Sequence, residues 1–144
     1  LHTRMPVVLP ARITPGLLDL MTSSRCQIVL VNHINHGNEI DREVLEVMTR
    51  LRSSGVTLLN QSVLLRGVND SGTALVDLSK RLHEAGILPY YLHLMDPVQG
   101  AGHFDVPEDE AISLMSKVRE QLPGYLVPRL VREIPFRSSK TLIT

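Results

Sequence analysis

Short, charge-free runs of β-branched residues alternate along this chain with longer stretches whose apolar residues recur at helical spacing. Gln27-Ile28-Val29-Leu30-Val31 has the pattern of a strand covered on both faces, as parallel strands are. Before it, Thr14-Pro15-Gly16 combines an N-cap residue with proline at the first helical position. The helix it opens should turn Leu17, Leu18, Leu20 and Met21 inward. From Asp41 to Leu51, Val44, Leu45, Val47, Met48 and Leu51 fall on one helical face, with a stop near Gly55. Val56 to Leu59 predicts a strand, and Ser62 to Leu65 continues its apolar character. Thr73 to Ala85 predicts a helix ended by Gly86, a suitable residue just past a helix C-terminus. Leu88 to Leu94 predicts a strand despite Pro89. Pro107 to Leu122 predicts a helix with Glu108, Asp109 and Glu110 early and Lys117 and Arg119 late, an order that suits the helix dipole. Tyr125 to Val131 predicts the last strand.

Strands alternating with helices imply βαβ units, an α/β fold with a parallel sheet. Three or four such units make half of a (β/α)₈ barrel or a slice of an open sheet. Both architectures gather functional residues beyond the C-terminal ends of their strands. Four polar clusters stand at those places: Asn32 to Glu39; Asn60-Gln61-Ser62 with Arg66 to Asp70; Asp96 with Gln99 to His103; and Arg132-Glu133 with Ser138-Ser139-Lys140.

Composition narrows the picture. A chain of 144 residues, 43% hydrophobic, fits one domain of ordinary size. Its 15 basic residues balance 15 acidic ones, so no basic footprint for nucleic acid is expected. No apolar run approaches the roughly 20 residues that span a bilayer, and a secretory signal pattern is not visible. The single cysteine, Cys26, fits a reducing cytoplasm and reads as a small core residue entering a buried strand. The start at Leu1-His2-Thr3 suggests a chain that begins within a domain.

Each candidate has a plain and a chemical reading. His33 and His36 invite metal ligation, but a zinc site takes three or four ligands and no third is evident beside them. Gln61 is either a buried amide bonded to backbone or a ligand contact. Asp96 and Glu133 are surface acids by default. Facing one pocket, they suit a cationic substrate group. Lys140 is a surface lysine unless its surroundings make it a Schiff-base former. His93 and His103 read as packing or loop residues.

The string Asn60-Gln61-Ser62-Val63-Leu64-Leu65-Arg66-Gly67-Val68-Asn69-Asp70 resembles the lysine 2,3-aminomutase family of radical S-adenosylmethionine enzymes. So does His33-Ile34-Asn35-His36-Gly37-Asn38-Glu39-Ile40, which has the family's H-x-N-H-x-N-E-I pattern. Thr3 to Pro10, Pro89-Tyr90-Tyr91, Gly102-His103-Phe104, Gly124 to Pro128 and Lys140-Thr141 extend the likeness over nearly the whole chain. The resemblance implies that residues 1–144 are the C-terminal part of a TIM-like partial (β/α) barrel, with the cluster-binding half outside them. It implies that Lys140 carries pyridoxal 5′-phosphate, that His33 and Gln61 contact S-adenosylmethionine, and that Asp96 and Glu133 hold the side-chain ammonium of lysine. A [4Fe–4S] cluster completes the family's set, its ligands lying outside this chain.

Departures from the family refine this. Ser71 stands where zinc-containing members have cysteine, and Phe136-Arg137-Ser138-Ser139 replaces the glycine run before the lysine. With only four residues after Lys140, the chain is most similar to members that make (R)-β-lysine for β-lysylation of elongation factor P, in partnership with a lysyl ligase. The expectation is a cytoplasmic isomerase, inactive as this piece alone and prone to homo-oligomerise through exposed sheet edges. The alternatives are a metal-dependent barrel hydrolase using His33, His36 and Asp96, or a non-catalytic binding module.

Overall fold

A computed structural model describes residues 1–96 and 99–144. Among them, β1 (His2–Thr3), β2 (Val29–His33), β3 (Thr57–Val63), β4 (Leu88–His93), β5 (Arg129–Arg132) and β6 (Thr141–Leu142) form one sheet in sequence order. The first five strands run parallel and β6 pairs antiparallel to β5. Between them lie helices α1 (Met5–Val8), α2 (Pro15–Ser23), α3 (Arg42–Ser53), α4 (Gly72–Glu84) and α5 (Glu108–Gln121). This is the expected α/β architecture of successive βα units, part of a TIM-like barrel in its order of elements.

Local chemistry starts and stops the helices. The Thr14 hydroxyl accepts the Leu17 N–H at 3.3 Å, the Asp41 carboxylate accepts that of Val44 at 2.9 Å, and the Ser71 hydroxyl accepts that of Ala74 at 3.2 Å. Each satisfies an N–H that a helix start leaves without an intrahelical partner. Beyond α4, Gly86 adopts φ +75°, a conformation that other residues take at a cost.

The sheet has two unlike faces. Leu30, Ile34 and Leu58 pack with Val44, Val47, Met48, Leu51, Leu78 and Leu82 of α3 and α4. Leu92, Leu94 and Leu130 pack with Leu75, Ala111, Met115 and Val118 of α4 and α5. Side chains alternate across a strand, so Val31, His33, Leu59, Gln61, Tyr91, His93 and Val131 take the other, helix-free face. The expectation of a strand buried on both faces holds for Leu30 and Val31, which are buried on opposite faces although helices pack on only one of them, while Val29 is exposed.

Several boundaries move, for identifiable reasons. β2 begins at Val29 and runs through Asn32 and His33, which polarity had placed in a loop. β3 likewise absorbs Asn60, Gln61 and Ser62, and its pairing with β4 shifts register between Asn60 and Gln61. Because β2 starts late, Cys26 lies outside it and is exposed rather than a core residue. Leu20 points outward at 67% exposure, while Met21 is buried and Leu17 and Leu18 are partly so. Gly124–Leu126 is a 3₁₀ turn, so the last parallel strand is shorter than its apolar run.

Candidate functional site

Strand register carries the candidate residues to one end of the sheet. His33 is paired with Gln61, Gln61 with Tyr91, and His93 with Val131. Arg132 pairs with Thr141, which sets Glu133 and Lys140 immediately beyond the last pair. The Lys140 ammonium donates to the Glu133 carboxylate and lies 5.7 Å from the centre of the Tyr91 ring. These two residues line a cleft of about 440 Å³ with Tyr90, Tyr91, Arg137, Ser138 and Ser139. Glu133 also lines an adjoining cleft of about 780 Å³, together with Asp96, Gln99, Arg132 and Ile134. Lys140, Glu133 and Asp96 are thus grouped about two neighbouring clefts, with Glu133 common to both. His33 and Gln61 are neighbours on adjacent strands but line neither cleft.

Asparagines fix the strand ends on which these residues stand. Asn60 is 1% exposed. Its amide oxygen accepts the Ile34 N–H at 2.9 Å, and its nitrogen donates to the Ile34 carbonyl and the Ser62 hydroxyl, both at 3.0 Å. Asn35 accepts the Val63 N–H at 2.9 Å. Asn69 accepts the Leu65 N–H at 2.7 Å and donates to the carbonyls of Asn35 and Val63 at 2.8 and 2.9 Å. The Glu39 carboxylate accepts the N–H groups of Asn35 and His36 at 2.7 and 3.0 Å, and Arg4 pairs with its other oxygen at 2.5 Å. The distinctive H-x-N-H-x-N-E and N-Q-S to N-D strings therefore contain both candidate ligands and the brackets that hold the loops. Sequence reasoning identified the first group and missed the second. Their signal was the density of asparagine next to strand ends, since a buried amide can satisfy several backbone groups at once.

Electrostatics separate the groups. The hydrogen bond from Lys140, then its charge, holds the Glu133 carboxyl below its ordinary value. Burial, then the nearby His2 and Arg4, pushes the His33 imidazole down. Burial does the same to His93, with the Lys140 ammonium the next cause. Both histidines are held toward the neutral form. Among the described residues, Asn32 Oδ1, His33 Nε2, Gln61 Oε1 and His93 Nε2 are buried without a hydrogen-bond partner, unusual for polar atoms out of water.

His36 does other work. Its Nδ1 accepts the Asn38 N–H at 3.1 Å, and Glu39 reaches back to the His36 N–H, a reciprocal cap on the Gly37–Glu39 turn. Among the described residues, no three His, Cys, Asp or Glu side chains come together as a metal site, so a hydrolase built on His33, His36 and Asp96 finds no ligand set there. No helix among them is long and apolar enough to cross a membrane.

The fold defines the class first. A radical SAM methyltransferase from Sphaerobacter thermophilus superposes with a TM-score of 0.59 at 16% identity, over 81% of this chain and 37% of that one. The sheet and its helices therefore share their fold, a partial TIM-like barrel, with part of that chain. No protein-family model matches the chain. Curated sequences go further. An L-lysine 2,3-aminomutase of Escherichia coli is 54% identical over 98% of this chain, and that of Haemophilus influenzae is 51% identical over 99%. That of Clostridium subterminale is 39% identical over 96%. The chain belongs to the lysine 2,3-aminomutase family. It spans 41% and 42% of the length of the first two relatives and 33% of the third.

Proposed function

We propose that this chain is the C-terminal, substrate- and cofactor-binding part of a lysine 2,3-aminomutase, in which the α-amino group of lysine moves to the β-carbon. The observation that carries the reading is the grouping of Lys140, Glu133 and Asp96 about two adjoining clefts at the strand ends. Lys140 is the residue that would hold pyridoxal 5′-phosphate, because its amine opens on a cleft of ligand size. Asp96 and Glu133 are two carboxylates on one cleft, suited to clamp the ammonium at the far end of lysine. Glu133 changes partner in this scheme: it pairs with Lys140 before lysine enters and turns to the substrate cation when lysine binds. His33 and Gln61 present unpartnered polar atoms and fit contacts to S-adenosylmethionine.

When bound, pyridoxal phosphate supplies a carbonyl carbon that carries the migrating nitrogen, while S-adenosylmethionine and a [4Fe–4S] cluster supply the radical. The cluster needs several thiolates and this chain has one cysteine, exposed Cys26. Its ligands therefore belong outside residues 1–144, and the piece alone is inactive. On this reading the intact enzyme works in the cytoplasm as a homo-oligomer and makes (R)-β-lysine that a lysyl ligase attaches to elongation factor P; Ser71 and the Phe136-Arg137-Ser138-Ser139 stretch support it.

Two measurements on the intact enzyme test this. Lys140→Ala abolishes the visible absorbance of bound pyridoxal phosphate and the cofactor adduct trapped on the chain by borohydride. An unchanged spectrum removes Lys140 from its role. Asp96→Asn and Glu133→Gln weaken lysine binding by about tenfold or more, the loss expected for a hydrogen bond to a charged group, and weaken pyridoxal phosphate binding far less. Equal losses of both ligands refute the ammonium clamp.

A further inference from the structure

His93 stands among the proposed site residues without a role. It is 8% exposed, on the helix-free face of β4, and its ring meets that of Tyr91 edge-on at 5.8 Å. Its Nε2 is out of water and has no partner. Such an orphan costs free energy unless something supplies a bond in the working state. The Lys140 ammonium stands 5.7 Å from the centre of the same Tyr91 ring, and after burial its charge is the next cause that holds the His93 imidazole toward the neutral form. Lys140, Tyr91 and His93 thus form one cluster.

The cluster exposes a gap in the scheme above. Glu133 serves Lys140 as hydrogen-bond acceptor and is also wanted by the substrate cation. When Glu133 turns away, the lysine nitrogen needs another acceptor, because an ammonium or amine left without one in a partly buried site is penalised. Asp96 is committed to the same cation. The imidazole of His93, held neutral by burial and by Lys140 itself, has an acceptor nitrogen free when the proton sits on the other one.

We propose that His93 is a positioning residue for Lys140, accepting the hydrogen bond of the lysine nitrogen whenever Glu133 is occupied by the substrate's ammonium. The proposal rests on the reading of Lys140 as cofactor lysine and Glu133 as substrate acid. A histidine that merely fills space contributes to stability alone. A positioning histidine acts on one stage of cofactor handling and leaves the other untouched.

The test uses the intact enzyme with pyridoxal phosphate and lysine, following the visible band of the bound cofactor by stopped flow. In His93→Phe the band forms from added pyridoxal phosphate at the wild-type rate, because Glu133 still serves Lys140. The spectral change on adding lysine slows by about tenfold, the scale of one lost hydrogen bond to a charged group. His93→Gln, which keeps an acceptor oxygen, recovers most of that rate. If the Phe variant does not fold, His93→Met, without a strong acceptor but more adaptable in packing, replaces it with the same expectation. An unchanged lysine-dependent rate in the folded variant overturns the proposal, as does equal slowing of both stages or failure of Gln to rescue. Lys140→Ala distinguishes the levels. If it keeps the visible band, the underlying functional reading fails, whereas loss of the band there with an unaffected His93→Phe sinks only the role of His93.

Discussion

Replacing Asn60 by alanine is the most informative single perturbation of the scaffold. The amide spans β3 and the residue after β2, taking both the N–H and the carbonyl of Ile34. Alanine leaves the Ile34 N–H buried and unpaired, a penalty of about 2 kcal/mol. The Ile34 carbonyl keeps its bond from the Ser62 hydroxyl at 2.9 Å, so it adds little. The void left by the amide adds about 1 kcal/mol, giving about 3 kcal/mol in all. At about 3 °C per kcal/mol for a domain of this size, the midpoint of thermal unfolding should fall by about 9 °C. Ser62→Ala is the internal control, since Asn60 still holds both Ile34 groups, and about 1 kcal/mol is expected. Urea unfolding at fixed protein concentration gives both numbers, with the slope reporting whether the unfolded state has changed. Equal losses for the two variants, or a loss below about 1 kcal/mol for Asn60→Ala, refute the account of these asparagines as brackets.

Two further outcomes follow from particular groups. His33 and His93 have imidazoles held below their ordinary value, so the unfolded chain binds more protons once pH drops under about 6.5. The stability they contribute is complete above that pH and is lost as pH falls toward their lowered values, and His33→Asn with His93→Asn should flatten that part of a melting-temperature profile. Gly86→Ala places a side chain at φ +75°, 2.8 Å from the Arg52 guanidinium. The arginine can swing aside, so the backbone term of about 1 kcal/mol remains, and a neutral urea midpoint contradicts it.

The βα alternation was legible because each helix carries its own start chemistry and a single apolar face. Thr14 before Pro15 and Asp41 before the Val44–Leu51 stripe are local facts, and the structure repeats them. The strand ends were not legible by the same route. Asn32, Asn60 and Ser62 are buried polar residues, and hydrophobic periodicity assigns polar residues to loops. What keeps them in strands is pairing to residues more than twenty positions away, which no window along the chain contains. β6 escaped for a similar reason: two residues, Thr141 and Leu142, become a strand only by pairing back on β5. His93 was passed over because an isolated histidine in an apolar run looks like packing. Its two-residue spacing from Tyr91, which puts both on one face, was the available clue.

The same separation explains where this protein is frustrated and where it is not. On the strand ends, nearly every asparagine of the motif strings spends its hydrogen bonds on neighbouring backbone, so the loops after β2 and β3 are fixed without any ligand. One layer further onto the helix-free face, His33, Gln61 and His93 each hold a buried atom with no partner. A fold that could satisfy Asn35, Asn60 and Asn69 so fully had the means to satisfy three more side chains, or to replace them with apolar residues at no loss of packing. Three of the four unsatisfied groups lie on this one face, Asn32 Oδ1 on the helix side being the fourth. Gathered beside a largely bonded frame, they are what a preorganised binding surface requires, because a donor or acceptor already committed to the protein cannot be offered to a ligand.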